Sequence, residues 1–309
     1  MTDLRAAAAE YLAIRRSLGF KLRDYDRLLE DFIGSLEASG TETVTVQSTL
    51  TWATSVTGTS PKRCGDRLGA VRGFARHLHG FDHTVKVPPP DLLVYRQLRP
   101  RPYLYSAADI ARLVRVASAL RPAFRGLTYE AVFGLLATTG MRVGEALRLD
   151  DGDVDLQTGV IEITDTKFNK HRLVPVHASV LAALRHYVEV RDEQRFRRAK
   201  DPSFFVSTRG TGLLYACVNE AFHVLLGELH LDAQQGAGPP RIHGLRHSFA
   251  VATVRDWYRS GQAPEGKLPI LSAYLGHARP ASTYWYLEAC PELLGLAAER
   301  LERFETGQR

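Results

Sequence analysis

The chain has 309 residues, 45% of them hydrophobic and 24% charged, and its net charge is +6. These values describe a globular protein with length enough for two domains, and the positive balance favours a polyanionic partner such as nucleic acid or an anionic membrane surface. The three cysteines Cys64, Cys217 and Cys290 are odd in number and far apart, which excludes a disulfide framework and a cysteine-based metal site. The start, Met1-Thr2-Asp3, lacks the basic and apolar regions of a signal peptide. The richest apolar stretch, Ala131 to Ala137, is too short to span a bilayer, so a cytoplasmic protein is expected.

Residues 1–86 read as a small all-helical domain. Leu4, Ala8, Tyr11, Leu12 and Leu18 recur at roughly helical spacing; Tyr25, Leu28, Leu29, Phe32, Ile33 and Leu36 repeat the pattern, and Gly40 supplies a stop. A weaker third helix covers Gln47 to Ser55. A fourth begins after Ser60-Pro61, with Leu68, Val71, Ala75 and Leu78 as its apolar stripe. Arg63, Arg67, Arg72 and Arg76 flank that stripe on two sides, at about 100° per residue. They suit either a solvated rim or the phosphate contacts of a helix lying along DNA. From Phe81 to Pro102 the chain reads as a linker, richest in Pro and Arg over 87–102. Pro88-Pro89-Pro90, Pro100 and Pro102 favour extended backbone, and Arg96, Arg99 and Arg101 suit a spacer that tracks phosphates.

The second domain, 103–309, opens on a helix that Ser106 and Asp109 cap reciprocally. It is mostly helical, interrupted by one hairpin of Val160-Ile161-Glu162-Ile163 and Leu173-Val174-Pro175-Val176, joined by the polar run from Thr166 to Arg172. Further helices are expected over Ser179 to Gln194, Leu214 to Leu229, His243 to Tyr258, Leu268 to Leu275 and around Ser282 to Leu287. The tail from Glu292 to Phe304 carries a narrow stripe of Leu293, Leu296, Ala297, Leu301 and Phe304, fit to dock on a partner or on its own domain.

Four segments of this domain carry chemistry. In Thr139-Gly140-Met141-Arg142-Val143-Gly144-Glu145 a glycine-punctuated turn feeds a short helix with Arg142 at its start, a place from which an arginine can meet an anion or form a surface pair with Glu145. Lys167 on the hairpin turn is either solvated or a proton donor to bound substrate. In His243-Gly244-Leu245-Arg246-His247, His243 and Arg246 share a helical face, joining a titratable group to a fixed positive fork, as a phosphate that changes charge requires. His247 at i+4 also permits a two-histidine zinc site, but neither the intervening glutamate nor an obvious third ligand is present. Last, Leu275-Gly276-His277 precedes the aromatic cluster Tyr284-Trp285-Tyr286.

Taken together, these segments resemble the tyrosine recombinase (phage integrase) family, whose signature runs Arg, Lys, His-x-x-Arg, His, Tyr in that order. The matching positions are Arg142, Lys167, His243 with Arg246, His277 and Tyr286, the last nine residues beyond the histidine. Phe168 where the family has glycine, and Arg279-Pro280 and Trp285 beside the tyrosine, depart from the pattern. Tyr284 competes for the nucleophile's place; two helical residues about 200° apart cannot both face one phosphate, and the family spacing selects Tyr286. The resemblance implies a mainly α fold, with a helical core-binding domain and a mostly helical catalytic domain bearing a small hairpin or sheet, closing on DNA as a C-shaped clamp. It implies metal-free and cofactor-free strand transfer through a 3′-phosphotyrosine link, on double-stranded DNA with inverted-repeat core sites, by a homotetramer, in a simple recombinase such as mobile elements carry. The alternatives are relaxation of the type IB topoisomerase kind, and a non-catalytic DNA-binding protein on the same scaffold.

Overall fold

The computed structural model describes residues 3–22, 24–93, 101–164, 171–194, 202–231, 234, 236–277, 283–285 and 290–305. The chain divides into two compact units, Met1–Arg99 and Pro100–Arg309.

The first unit holds α1 (Leu4–Ser17), α2 (Tyr25–Ala38), α3 (Val46–Thr54) and α4 (Pro61–His79). Each start has a local cause where a side chain meets an otherwise orphaned N–H. Asp3 accepts from the first turn of α1, Thr45 and Ser48 cap α3 reciprocally, and Ser60 accepts from Arg63 with Pro61 opening α4. The stripes expected from the sequence meet in one core of Tyr11, Leu12, Leu29, Phe32, Ile33, Leu36, Trp52, Leu68, Val71, Phe74 and Leu78. The core reaches further along the chain than residue 86. Val85 is buried, Leu92 and Leu93 pack against it, the Lys86 N–H donates to the Val44 carbonyl at 2.9 Å, and Arg72 donates to the Pro88 carbonyl at 3.1 Å. The proline run is thus held along α4, because aliphatic residues on either side of it find apolar surface there.

The second unit starts with α5 (Ala107–Ser118), capped by the Ser106–Asp109 box, and α6 (Ala123–Thr139), which is buried along most of its length. The short α7 (Val143–Ala146) follows. Three antiparallel strands come next: β1 (Val154–Asp155), β2 (Val160–Ile163) and β3 (Arg172–Pro175). β1 is an addition to the expected hairpin; two residues are too few for an alternating pattern to announce them. The register pairs Ile161 with Val174 and Ile163 with Arg172, so the strand alternation sends Ile161, Ile163 and Val174 into the core. The helices α8 (Ala178–Glu193), α9 (Tyr215–Leu229), α10 (Ile242–Arg259), α11 (Leu268–Leu275) and α12 (Pro291–Glu305) complete the unit. Residues 283–285 are also helical.

α10 packs on α6 on one side and on α12 on another. A second core joins Ala250, Val251 and Val254 of α10 with Leu268, Leu271 and Leu275 of α11 and with Cys290 and Leu293. Of the two places open to the tail stripe, its start docks on its own unit: Leu293 is buried, and Glu292 accepts from Arg259 at 2.8 Å. Leu294 and Leu301 on the same helix are exposed. Among the described residues no helix is long and apolar enough to cross a membrane.

Candidate active site

The site is built around the last turn of α11. A helix leaves its final carbonyls without partners and carries partial negative charge there. Three guanidiniums from three other segments use those carbonyls. Arg172 Nε donates to Tyr274 O at 2.9 Å, Arg246 Nη2 to Leu275 O at 2.7 Å, and Arg142 Nη2 to Gly276 O at 3.0 Å. Gly276 ends the helix at φ +68°, and a Cβ added there would stand 2.7 Å from Arg172 Nη1. The position therefore needs glycine on two counts, conformation and space.

Arg246 is 2% exposed and its second nitrogen donates to Gly140 O at 2.8 Å, so the end of α6 and the end of α11 are clasped by one side chain. Arg142 sits at the start of α7, where its N–H donates to Glu145 Oε2 at 2.9 Å and its Nη1 to Glu145 Oε1 at 2.6 Å. Glu145 is more than the local partner suggested by its spacing. It is 4% exposed and also takes Arg172 on both oxygens, at 2.7 and 3.2 Å. Burial opposes its ionisation, but the hydrogen bonds and charges of Arg172 and Arg142 prevail and hold the carboxyl down at about 2.

His243 and Arg246 lie one turn apart on α10, and His243 keeps an exposed edge. The protein around its ring, followed by Arg246 and Arg142, lowers its pKa to about 4. His277 is pushed down to about 4 as well, by burial and then by Arg246 and Arg142, and its Nδ1 is 2.7 Å from Thr283 Oγ1. His247 lies behind them, edge-on to His243 with centroids 4.6 Å apart and 5.2 Å from the Trp285 ring; burial, then His243, lowers it to about 3. All three imidazoles are neutral at pH 7, while the arginines stay charged. Among the described residues no group of three His, Cys, Asp or Glu side chains is placed to hold a metal ion.

Of the six signature positions, the structure brings Arg142, His243, Arg246 and His277 together; Lys167 and Tyr286 lie outside the described residues. Thr283, the first described residue after 277, is buried, Trp285 packs beside the α10–α11 core, and Tyr284 is exposed. Arg172 and Thr283 are the members that the sequence reading missed. The partners of Arg172 lie in distant segments, and it resembles any strand-start cation; Thr283 meets His277 only six residues away, but a threonine beside an aromatic cluster carries no signal of its own.

The basic residues considered for DNA contact separate. Arg63 and Arg76 are exposed on α4. Arg67 is a correction: it is buried, stacked 3.9 Å from the Trp52 ring centroid, and donates to Trp52 O at 2.8 Å, so its charge serves the helix packing. Arg72 is half-buried and turned to the proline run. Arg101 is exposed, with its carbonyl accepting from the Gly238 N–H at 2.8 Å; Arg96 and Arg99 lie outside the described residues.

The chain is similar to known proteins over most of its length. Residues 106–292 match the model of the phage integrase family. The integrase/recombinase-named y4rB of Sinorhizobium fredii is 42% identical over 308 residues, covering 98% of each chain. A tyrosine recombinase XerC of Methylobacterium nodulans is 32% identical over 309 residues, covering 92% of this chain and 88% of the relative. Among solved structures, the XerH site-specific recombinase in a post-cleavage complex with its palindromic difH substrate has a TM-score of 0.66 at 18% identity, covering 91% of this chain and 80% of that one. The Tn1549 transposon integrase with transposon right-end DNA has a TM-score of 0.64 at 16% identity, covering 96% and 98%. The chain belongs to the phage integrase family of tyrosine recombinases, a family of site-specific recombination.

Proposed function

We propose that this protein is a site-specific recombinase that cuts and rejoins DNA through a 3′-phosphotyrosine intermediate, with Tyr286 as nucleophile. The observation that carries the reading is the convergence of Arg142, His243, Arg246 and His277 at the end of α11, with His277 nine residues before Tyr286 along the chain.

The phenol attacks a phosphodiester; a bond forms from its oxygen to phosphorus, and the bond to the 5′-oxygen breaks. Only about one tyrosine in a thousand is ionised at neutral pH, so the phenol needs a proton acceptor. Neutral His243 fills that role; burial and then the charges of Arg246 and Arg142 lower its pKa, and an arriving phosphate opposes those charges. Charge gathers on the non-bridging oxygens, where Arg142 and Arg246 supply fixed positive forks and His277 a further hydrogen bond. Carbonyl partners are neutral, so they orient Arg246 without cancelling its charge. Lys167 gives a proton to the leaving 5′-oxygen. Attack by a second 5′-hydroxyl reverses the steps and completes exchange. The DNA partner is a duplex with inverted-repeat core sites. Exposed Arg63, Arg76 and Arg101 contact its phosphates, and a homotetramer supplies the four active sites that two duplexes require.

The test is to express the protein in cells, lyse in SDS with chelator present, recover covalently attached DNA and sequence its ends. Adducts at a discrete sequence, lost in Tyr286→Phe and kept in Tyr284→Phe, are expected. Adducts lost only in Tyr284→Phe would move the nucleophile. Tight duplex binding with no adduct in wild type would favour a non-catalytic binder, and relaxation of supercoils without a preferred site would favour the topoisomerase reading.

A further inference from the structure

Arg172 lies outside the six signature positions, yet every nitrogen of its guanidinium is engaged. Nε holds Tyr274 O at 2.9 Å, and Nη1 and Nη2 hold the two oxygens of Glu145 at 3.2 and 2.7 Å. Its side chain is 10% exposed, and Gly276 leaves the space that it fills. Arg172 is also the first residue of β3, paired with Ile163 of β2. It therefore stands at the mouth of the hairpin whose connecting run contains Lys167. The hairpin stem, the arginine-bearing α7 and the end of α11 meet on this one side chain.

A buried ion pair adds little net stability over apolar residues of the same volume; what it supplies is fixed geometry. A lysine here would keep the charge but lose the fork on Glu145 and the separate bond to Tyr274 O. We propose that Arg172 is a positioning residue for the leaving-group proton: it fastens the stem of the lysine hairpin to the end of α11, where Arg142 and Arg246 are held, and so governs proton delivery by Lys167. This rests on the strand-transfer reading above. Arg172 touches neither DNA nor the reacting atoms; it acts through Lys167.

The experiment uses the duplex identified by sequencing wild-type adducts, made in two forms. One has the natural 5′-bridging oxygen at the cleaved linkage, and the other has sulfur there. A thiolate departs without a proton, since thiol pKa values lie near 8.5. A defect confined to proton delivery therefore vanishes on the sulfur duplex. Full-length wild type, Arg172→Lys, Arg172→Met, Lys167→Ala and Arg246→Ala are compared for covalent adduct formation. Both Arg172 variants are expected to be about 10- to 100-fold slower than wild type on the oxygen duplex, the cost of a displaced catalytic group. On sulfur they should recover to within about threefold of wild type, as Lys167→Ala does for a lost general acid. Arg246→Ala should stay slow on both. The sulfur-to-oxygen rate ratio is taken within one preparation, so a lower folded fraction does not alter it, and Arg172→Lys guards against the misfolding of Arg172→Met. Equal loss on both duplexes, or no loss on either, overturns the positioning role while leaving the strand-transfer reading intact. Sequencing that recovers no wild-type adduct overturns that reading and the positioning role with it.

Discussion

Arg67 in the first unit and Arg246 in the second are both buried arginines on helices, and they do different work. Arg67 lies over the Trp52 ring, donates to Trp52 O and reaches the carboxylate of Asp31 at 3.4 Å, so its charge is answered by an acid at the surface of the helical core. Arg246 donates to Gly140 O and Leu275 O, and stands among the neutral histidines His243 and His277 with Arg142 alongside. The first arrangement cements two helices. The second holds a positive charge at a fixed place beside groups that can exchange protons. Burial alone does not separate a structural from a functional arginine; the chemistry of the partners does.

The sharpest way to break that contrast is to remove both. Arg246→Ala should lower the rate of adduct formation by about 10²–10³, as loss of one preorganised donor does elsewhere, with DNA affinity changed far less. Single-turnover cleavage beside a binding titration checks this, and equal losses in the two would refute it.

Glu145→Gln tests the shared carboxylate. Breaking a buried pair from one side should cost about 3 kcal/mol of stability. The pH dependence separates two groups of titrations. The folded carboxyl of Glu145 sits at about 2 against an ordinary 4.5, so its contribution is complete above about pH 4.5 and is lost as pH falls toward 2. His243 and His277 at about 4, and His247 at about 3, are depressed from 6.5, so the unfolded chain takes up their protons first and stability falls as pH drops below 6.5. Denaturant melts from pH 8 to pH 3 should show both stages in wild type. The variant should keep the histidine stage and show a smaller acid stage, to which Asp26, Asp82, Asp109 and Asp155, also held below the usual carboxylate range, still contribute.

In the first unit, Arg67→Ala should cost about 2 kcal/mol through the lost stacking and hydrogen bond, with adduct formation per folded molecule unchanged. The smallest effects on stability belong to Arg63→Ala and Arg76→Ala, within about 0.5 kcal/mol. If these exposed arginines meet phosphates, each should instead reduce the slope of log affinity against log salt by about 1.

The sequence made the regular parts legible. The apolar stripes of α1, α2 and α4, the Ser106–Asp109 cap and the β2–β3 hairpin are written within a few residues, and local periodicity reads them. The ordered motifs also pointed to Arg142, His243, Arg246 and His277 as one group. What stayed hidden was contact between distant segments. Arg67 has the spacing of a helix-rim cation, and nothing within α4 announces that Trp52, fifteen residues earlier, will cover it. Arg172 finds Glu145 at 27 residues' separation and Tyr274 at 102. Val85 and Leu92 bracket a proline run whose composition reads as a semi-rigid spacer, while the packing of both depends on a surface formed by other helices.

The hold on the three arginines by carbonyls 274, 275 and 276 bears on how this site tolerates mutation. A carbonyl is present whatever side chain its residue carries, so the identities of residues 274 and 275 can drift as far as core packing allows without removing an acceptor. The path of the chain has no such latitude. Insertion or deletion of one residue before Gly276 would rotate the last turn of α11 by about 100° and turn all three acceptors away together. In a library of variants, this turn should accept many substitutions and reject nearly every change of length.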